Sequence, residues 1–353
     1  MSAPDVSVVV VTHRSATEAT GCIATLRRTL ARENLSGEIL LVDCGSGPAE
    51  VRRLESAGAD LVLALAENRG YSGGANAGLA RARSFRLLLT NADVAFREGA
   101  IRPLLDAVDD PRVGAAAPLT FWDEEERLRL PPGWRPTFRS DLAQLSAGRR
   151  PSRDRRRFAS AARETLELWL RGGDARHLSG AVLAARRETF DRAGRFDENF
   201  PFEYEETEWE DRVRGLGLTL RLVPGSRVIH RWGSSAAPAG ATAERRLRSR
   251  RLYWRRKYGR VGSAILERAA RRKPEAASPR LLEEPRVPAR EGAWVALSTN
   301  PSLLPFAGAP LEEDFVLPSE VAGRLPPVPL YLRTFRASDG EPMETCAWEE
   351  EQA

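Results

Sequence analysis

Six carboxylates, Glu203, Glu205, Glu206, Glu208, Glu210 and Asp211, fall within nine consecutive positions of FPFEYEETEWEDR, residues 200–212. Like charges at that density raise one another's pKa or recruit cations. A carboxylate whose pKa is raised in this way can take the proton of an attacking hydroxyl. On a helix Glu205, Glu208 and Trp209 share one face, as do Glu206 and Glu210. The competing reading is a solvated helix start whose acids complement the dipole. Trp209 counts against it, because a large aromatic in such a run is either packed or stacked on a sugar, which makes Glu205 and Trp209 candidates for an acceptor side.

Asp93 ends the apolar run FRLLLTNAD, where a carboxylate is costly unless paired or bound to a cation. With a hard ion such as Mg²⁺ or Mn²⁺ it would face the two phosphates of a nucleotide; a helix cap or turn is the alternative. His230 closes RVIH: alone such a residue is more often structural, and beside a metal it reads as a ligand. ENRGYSGGANAG, residues 67–78, carries four glycines that would let backbone N–H groups approach a phosphate at a helix start. The same glycines also suit a turn with tight helix–strand packing. Asp43, at the end of EILLVD, is placed to accept hydrogen bonds from a base or ribose, or to form a turn.

The elements that must position these groups follow from periodicity. VSVVVVT (6–12) is a continuous β-branched run, as in a parallel strand buried on both faces. Ser15 with Glu18 has capping-box spacing before a helix marked by Ile23, Leu26 and Leu30. Further strands are expected at 38–43, 60–65 and 85–90, each separated by a helix, which implies a mostly parallel α/β sheet with ligands at its carboxyl ends. Residues 131–176, with their arginine cluster at 149–157, read as an insertion or mobile loop over the site within a first domain of residues 1–242. Regular structure resumes at 177–185, followed by a pair of strands at 218–223 and 228–230. Residues 243–275 read as a basic helical segment packing Leu252, Tyr253 and Ile265, with membrane-surface contact as the other reading. Residues 276–353 read as a small β-rich appendage without a chemical signature.

At 353 residues the chain can bury one large α/β core and a smaller appendage. No apolar run approaches the roughly 18 to 20 residues that span a bilayer, and the first residues lack the pattern of a secretory leader, so a cytosolic protein is expected. The three cysteines are scattered, which argues against a disulfide framework or a structural zinc site. Five Arg against thirteen Asp and Glu from Leu281 to Ala353 leave −8 there and +13 before it. A basic first part suits anionic ligands. The arginines lie outside any recognisable nucleic-acid-binding module, so no nucleic-acid partner is expected.

VSVVVVTHRS, LVDCGS, ENRGYSGGANAG, LLLTNADV, HLSGAVLAARRETFDRAGRFDENF, the acidic segment and VIHRWGSS occur in the order found in family 2 glycosyltransferases, which the chain resembles over residues 5–260, closest to the rhamnosyltransferase-like branch. The resemblance implies a GT-A fold and an inverting transfer from a nucleotide-diphospho-sugar, dTDP-rhamnose or a UDP-sugar, to an acceptor hydroxyl on a glycan or lipid-linked glycan, with a divalent metal. By position it implies that Thr12, Asp43 and Ser46 contact the nucleotide and that Asn68, Gly70 and Asn76 shape its pocket. Asn91, Asp93 and His230 would stand at the metal and diphosphate, Gly180 and Ala181 on the sugar side, and Glu206 as the base supported by Glu208 and Arg212. Three positions depart from the family pattern: Asn91-Ala92-Asp93 replaces Asp-X-Asp, Glu206 stands where Asp is common, and His13-Arg14 replaces Tyr-Asn. The rival from another class is a non-catalytic sugar-nucleotide or glycan-binding protein on the same fold.

Overall fold

β1 (Val6–Thr12) is buried at all seven positions, because both of its faces are covered. It is followed by α1 (Ala16–Arg32), β2 (Gly37–Asp43), α2 (Pro48–Glu55), β3 (Leu61–Ala64), α3 (Gly70–Leu79) and β4 (Arg86–Asn91). β1 pairs in parallel with β2 and β4, and β2 with β3. This helix–strand alternation is the one expected from sequence. The computed structural model describes residues 3–146, 151–233, 239–271 and 279–349.

After β5 (Val94–Phe96), α4 (Arg102–Asp109) and β6 (Val113–Phe121), the chain forms α5 (Phe138–Gln144) and α6 (Pro151–Arg171). It then returns as β7 (Gly173–Ala175), β8 (Val182–Arg186), α7 (Arg187–Ala193), α8 (Glu205–Gly215) and β9 (Thr219–His230). The large sheet has the order β3-β2-β1-β4-β8-β6-β9-β5, with β7 also on β9, and β8 runs antiparallel to both β4 and β6. The chain divides into two compact units: Met1–Thr120 with Gly172–Tyr253, and Phe121–Arg171 with Trp254–Ala353. The stretch 131–176 therefore supplies two helices of the second unit, while Arg149 and Arg150 lie outside the described residues.

In the first unit Val8 and Val10 join Ile23, Leu26, Ile39, Leu41 and Leu104 in one core. Their neighbours Val9 and Val11 point the other way, towards α3. A Cβ built on Gly78 would stand 2.3 Å from Val9 Cγ1, and one on Gly74 would stand 2.7 Å from Val11 Cγ1 and Cys44 Sγ. The glycine-rich segment is thus helical from Gly70 onward, and Gly74 and Gly78 serve helix–sheet contact.

Two local expectations are corrected. Ser15 makes no side-chain cap bond; the Ala16 N–H instead donates to Glu50 Oε1 of α2 at 2.7 Å, so a carboxylate distant in sequence displaces the local box. The two strands expected at 218–223 and 228–230 form one, β9, which pairs with β7 early and β5 late. Gly172, at φ +69°, lies against Pro224 and the Leu222 carbonyl so closely that no Cβ fits, and the chain stays extended through Pro224-Gly225.

α9 (Ala239–Ala270) is broken at Gly259, where φ is 69° and ψ −175°. The break shifts the buried face: Tyr253, Trp254 and Leu266 are buried, whereas Ile265 is exposed, contrary to the packing expected of it. In the second unit Trp254 Nε1 donates to Asp141 Oδ2 at 2.9 Å. The strands β10 (Arg280–Leu281), β11 (Arg286–Val287), β12 (Ala293–Ser298), β13 (Ala307–Pro310), β14 (Phe315–Val316), β15 (Leu330–Arg336) and β16 (Pro342–Trp348) form a five-stranded sheet of order β10-β16-β15-β12-β13 and a two-stranded β11-β14 ribbon. Trp169 of α6 stacks on Trp294 of β12, with centroids 5.7 Å apart. Among the described residues no helix is long and apolar enough to cross a membrane.

Gly78→Ala tests the helix–sheet approach. The added methyl meets the stiff β-branched Val9 side chain, so the variant is expected to lose about 1–3 kcal/mol despite the better helix propensity of Ala, read as a lower midpoint in denaturant unfolding.

Candidate active site

Parallel register brings the ends of three strands together: Thr12 lies opposite Asp43, and Val11 opposite Asn91. Asp43 is fully buried and turns back on its own chain, accepting from Ser46 N at 2.9 Å and Ser46 Oγ at 2.5 Å. Ser46 Oγ in turn accepts from Arg14 N at 2.7 Å. Gly45, at φ +68°, passes so close to the backbone of Glu67 and Asn68 that a Cβ would stand 2.6 Å from it. Asn68 Oδ1 accepts from Gly70 N at 2.9 Å, closing the turn into α3. Thr12, Asp43, Ser46, Asn68 and Gly70 therefore belong to one edge.

Asn76, expected to shape the nucleotide pocket, instead clasps a neighbouring loop. Its side-chain amide donates to Phe196 O at 2.9 Å and Glu198 Oε1 at 3.0 Å, and its Oδ1 accepts from Phe196 N at 3.2 Å. A buried amide with these bonds satisfied serves the scaffold.

At the start of α8, Glu203 and Tyr204 have φ of 59° and 72°, a left-handed conformation costly for non-glycine residues. The loop is held by α9: Arg246 pairs with Glu203 at 2.7 Å, Ser249 Oγ accepts from Phe202 N at 3.2 Å, and the Tyr253 hydroxyl donates to Asp211 at 2.7 Å. The basic helix thus reaches the acidic segment directly.

Glu205 and Glu206 open α8, and each has one carboxylate oxygen enclosed without a hydrogen-bond partner among the described residues. Burial pushes both carboxyls up, Glu206 to about 7; Glu203 and Glu210 add repulsion there, whereas His177 opposes it. Gly180 makes room for this side chain, since a Cβ on it would lie 3.2 Å from Glu206 Cγ. The Tyr71 hydroxyl donates to Gly180 O at 3.4 Å and is held neutral by burial and by the two glutamates. Ala181 O, one residue on, accepts from Asn91 N at 3.0 Å.

Asp93 and His230 meet across β5 and β9, with His230 Nε2 3.2 Å from Asp93 Oδ1 and Arg231 N donating to Asp93 O at 3.0 Å. One carboxylate oxygen and one imidazole nitrogen at that spacing can occupy two positions around a single divalent cation. Among the described residues there is no group of three or more His, Cys, Asp or Glu that could hold a metal. The remaining ligands would have to come from water and substrate oxygens. Contact and connectivity thus run from Glu206 through Gly180, Ala181 and Asn91 to Asp93 and His230.

Residues 7–170 match the profile of glycosyl transferase family 2. The match ends before Gly180, Glu206 and His230, so it covers the edge formed by β1, β2 and β4 together with Asp93 and does not reach those three residues. The structure is also similar to the mannosyltransferase PcManGT from Pyrobaculum calidifontis in complex with GDP-Man and Mn²⁺: 18% identity, 77% of this chain and 76% of that one, TM-score 0.43. It is similar as well to GalNAc-T7 with UDP, GalNAc and Mn²⁺, at 16% identity, 77% of this chain and 55% of that one, TM-score 0.47. No curated protein matches the sequence. The chain has the mixed α/β architecture of the GT-A fold, with a large, mostly parallel sheet flanked by helices, and a separate small β-sheet towards the C-terminus.

Three sequence-derived roles at α8 are revised by the packing. Trp209 is fully buried, stacked on Phe190 at 4.6 Å and donating from Nε1 to Gly194 O at 2.9 Å, so neither of its faces can receive a sugar. Arg212 holds Glu208 through Nε at 2.9 Å and Nη2 at 2.7 Å and also donates to Ala193 O and Arg195 O. Both side chains tie α8 to the turn after α7 instead of supporting the base. The residue missed from sequence is His177, whose buried ring contacts the fully buried Glu210. A histidine opening an apolar strand-like run was the available signal.

Glu206 binds its proton at about 7 in the folded chain, against 4.5 for the free side chain. The native state therefore holds more protons than the unfolded state between those values, and stability falls as pH rises from 4.5 to 7. Glu206→Gln is expected to flatten that fall in thermal unfolding followed across this range.

Proposed function

We propose that this protein is an inverting glycosyltransferase that moves a sugar from a nucleotide-diphospho-sugar to an acceptor hydroxyl. The observation that carries the reading is the enclosed Glu206 carboxylate, connected through Gly180, Ala181 and Asn91 to the Asp93–His230 pair. The family match over residues 7–170 supports it. Glu206 accepts the proton of the acceptor hydroxyl. The acceptor oxygen bonds to the anomeric carbon as the bond from that carbon to the diphosphate oxygen breaks on the opposite face. One displacement inverts the configuration, and the reacting carbon has oxocarbenium character.

Asp93 and His230 would hold a divalent cation, which when bound neutralises charge on the departing diphosphate. The imidazole makes Mn²⁺ the favoured ion over Mg²⁺. Ser46 and the Asn68–Gly70 turn border the nucleotide, and the backbone of Gly180 and Ala181 borders the sugar. We assign dTDP-rhamnose or a UDP-sugar as donor and a glycan or lipid-linked glycan as acceptor, by resemblance to the rhamnosyltransferase-like branch.

Nucleotide release from dTDP-, UDP- and GDP-sugars, with and without Mn²⁺ or Mg²⁺, tests this reading. Glu206→Gln should lower turnover by about 10²- to 10⁴-fold with donor binding retained, and Asp93→Ala should abolish the metal dependence. Unchanged turnover in Glu206→Gln would remove the base from that residue. Binding without turnover in any acceptor mixture would favour a non-catalytic binding protein. In the wild type, kcat/KM should fall below an acid limb near pH 7, where Glu206 gains its proton.

A further inference from the structure

The chain has three histidines. His13 is exposed beside Ser46, and His230 stands with Asp93. The third, His177, is buried, and no step of the proposed reaction uses it. Its Nδ1 contacts Glu210 Oε2, its Nε2 lies 3.5 Å from Thr207 Oγ1, and Glu210 also accepts from Leu178 N at 3.1 Å. A buried ion pair is no better for stability than apolar side chains of similar volume, so packing alone gives no reason for one here.

Its place on α8 offers a reason. Glu206 and Glu210 are four residues apart on one helix and therefore neighbours on one face, and the charge of the ring against Glu210 acts on Glu206 as well. The charged groups acting on His177 are Glu210, Glu206 and Arg214, and those acting on Glu206 are His177, Glu203, Glu205 and Glu210. Among these groups and the described residues, His177 is the cation that acts on Glu206. Burial by itself would pull the imidazolium down, but Glu210 and Glu206 outweigh it and leave His177 raised.

We propose that His177 is a positioning residue: held as an imidazolium by Glu210, it supplies positive charge that favours the ionised form of Glu206, one helical turn from Glu210. This inference rests on the assignment of Glu206 as the base. His177→Gln leaves Glu210 as an uncompensated negative charge beside Glu206. His177→Gln/Glu210→Gln removes both charges together.

The test is the pH profile of kcat/KM for nucleotide release by wild type, His177→Gln and the double variant. In His177→Gln the acid limb should move up by about one pH unit, roughly a fivefold loss at pH 7, with donor KM unchanged. In the double variant it should return towards wild type. A limb that stays in place while His177→Gln loses activity evenly at all pH values would mean a structural role and overturn the proposal. The charge state is also read directly from the ring nitrogen shifts of the ¹⁵N-labelled wild type, with only three histidines to assign. A neutral His177 ring at pH 7 overturns the proposal even if the variants do not fold. Titration of the Glu206 carboxyl by ¹³C, assigned with Glu206→Gln, separates the two claims. An upward shift in His177→Gln without transfer from any donor sinks the transferase and keeps the ion pair. An active enzyme with an unmoved Glu206 sinks the ion pair alone.

Discussion

β1 is hydrogen-bonded in parallel on both sides, and each of its faces is filled, by the α1 and α4 side on one and by α3 on the other. Strands paired this way end at one edge, so the backbone of Thr12, Asp43 and Asn91 is aligned before any ligand is present. The approach of α3 depends on Gly74 and Gly78, because the helix lies so near Val9 and Val11 that side chains would push it off. That closeness sets where the turn at Asn68–Gly70 and the hydroxyl of Tyr71 stand. β8 then closes against β4 and carries Gly180 and Ala181 to the same edge.

A second constraint is the burial of acids at the start of α8. Two left-handed non-glycine residues precede it, each costing on the order of 1–3 kcal/mol. Contacts from Arg246, Ser249 and Tyr253 of α9 hold the segment in that path. The result is a carboxylate with one oxygen enclosed and without a hydrogen-bond partner among the described residues, next to a glycine that leaves it space. Glu208, Trp209 and Arg212, in the same short motif, spend their polar atoms and ring faces fixing the helix to the α7 turn. One run of six acids therefore divides into an enclosed pair at Glu205 and Glu206 and a set of scaffold contacts. Charge density alone does not indicate that division.

Much of the fold was legible because a parallel strand buried on both faces leaves a continuous apolar run, as in VSVVVVT, and because such strands alternate with helices of clear period. Asp93 was legible as a strand-end carboxylate too costly to leave alone, and His230 as a strand-end histidine that reads as a ligand only beside a metal. Errors arose where partners lie far apart in sequence. Glu50 takes the N–H that Ser15 with Glu18 was expected to cap. Asn76 is held by Phe196, 120 residues away. The two strands expected at 218–223 and 228–230 run on as one through Pro224-Gly225, against which Gly172 packs.

By itself the sequence determined the order of strands and helices as far as β4, the strand-end carboxylates, the acidic segment and the basic helix, because each is a local matter of period, residue type and charge. Only the tertiary structure decided that Gly74 and Gly78 serve packing, that Trp209 is core, that α9 clamps the acidic loop, and that His177 stands against Glu210. Each of these depends on which surfaces meet, and burial, desolvation and pairing of charge are properties of that meeting, absent from any single stretch of chain.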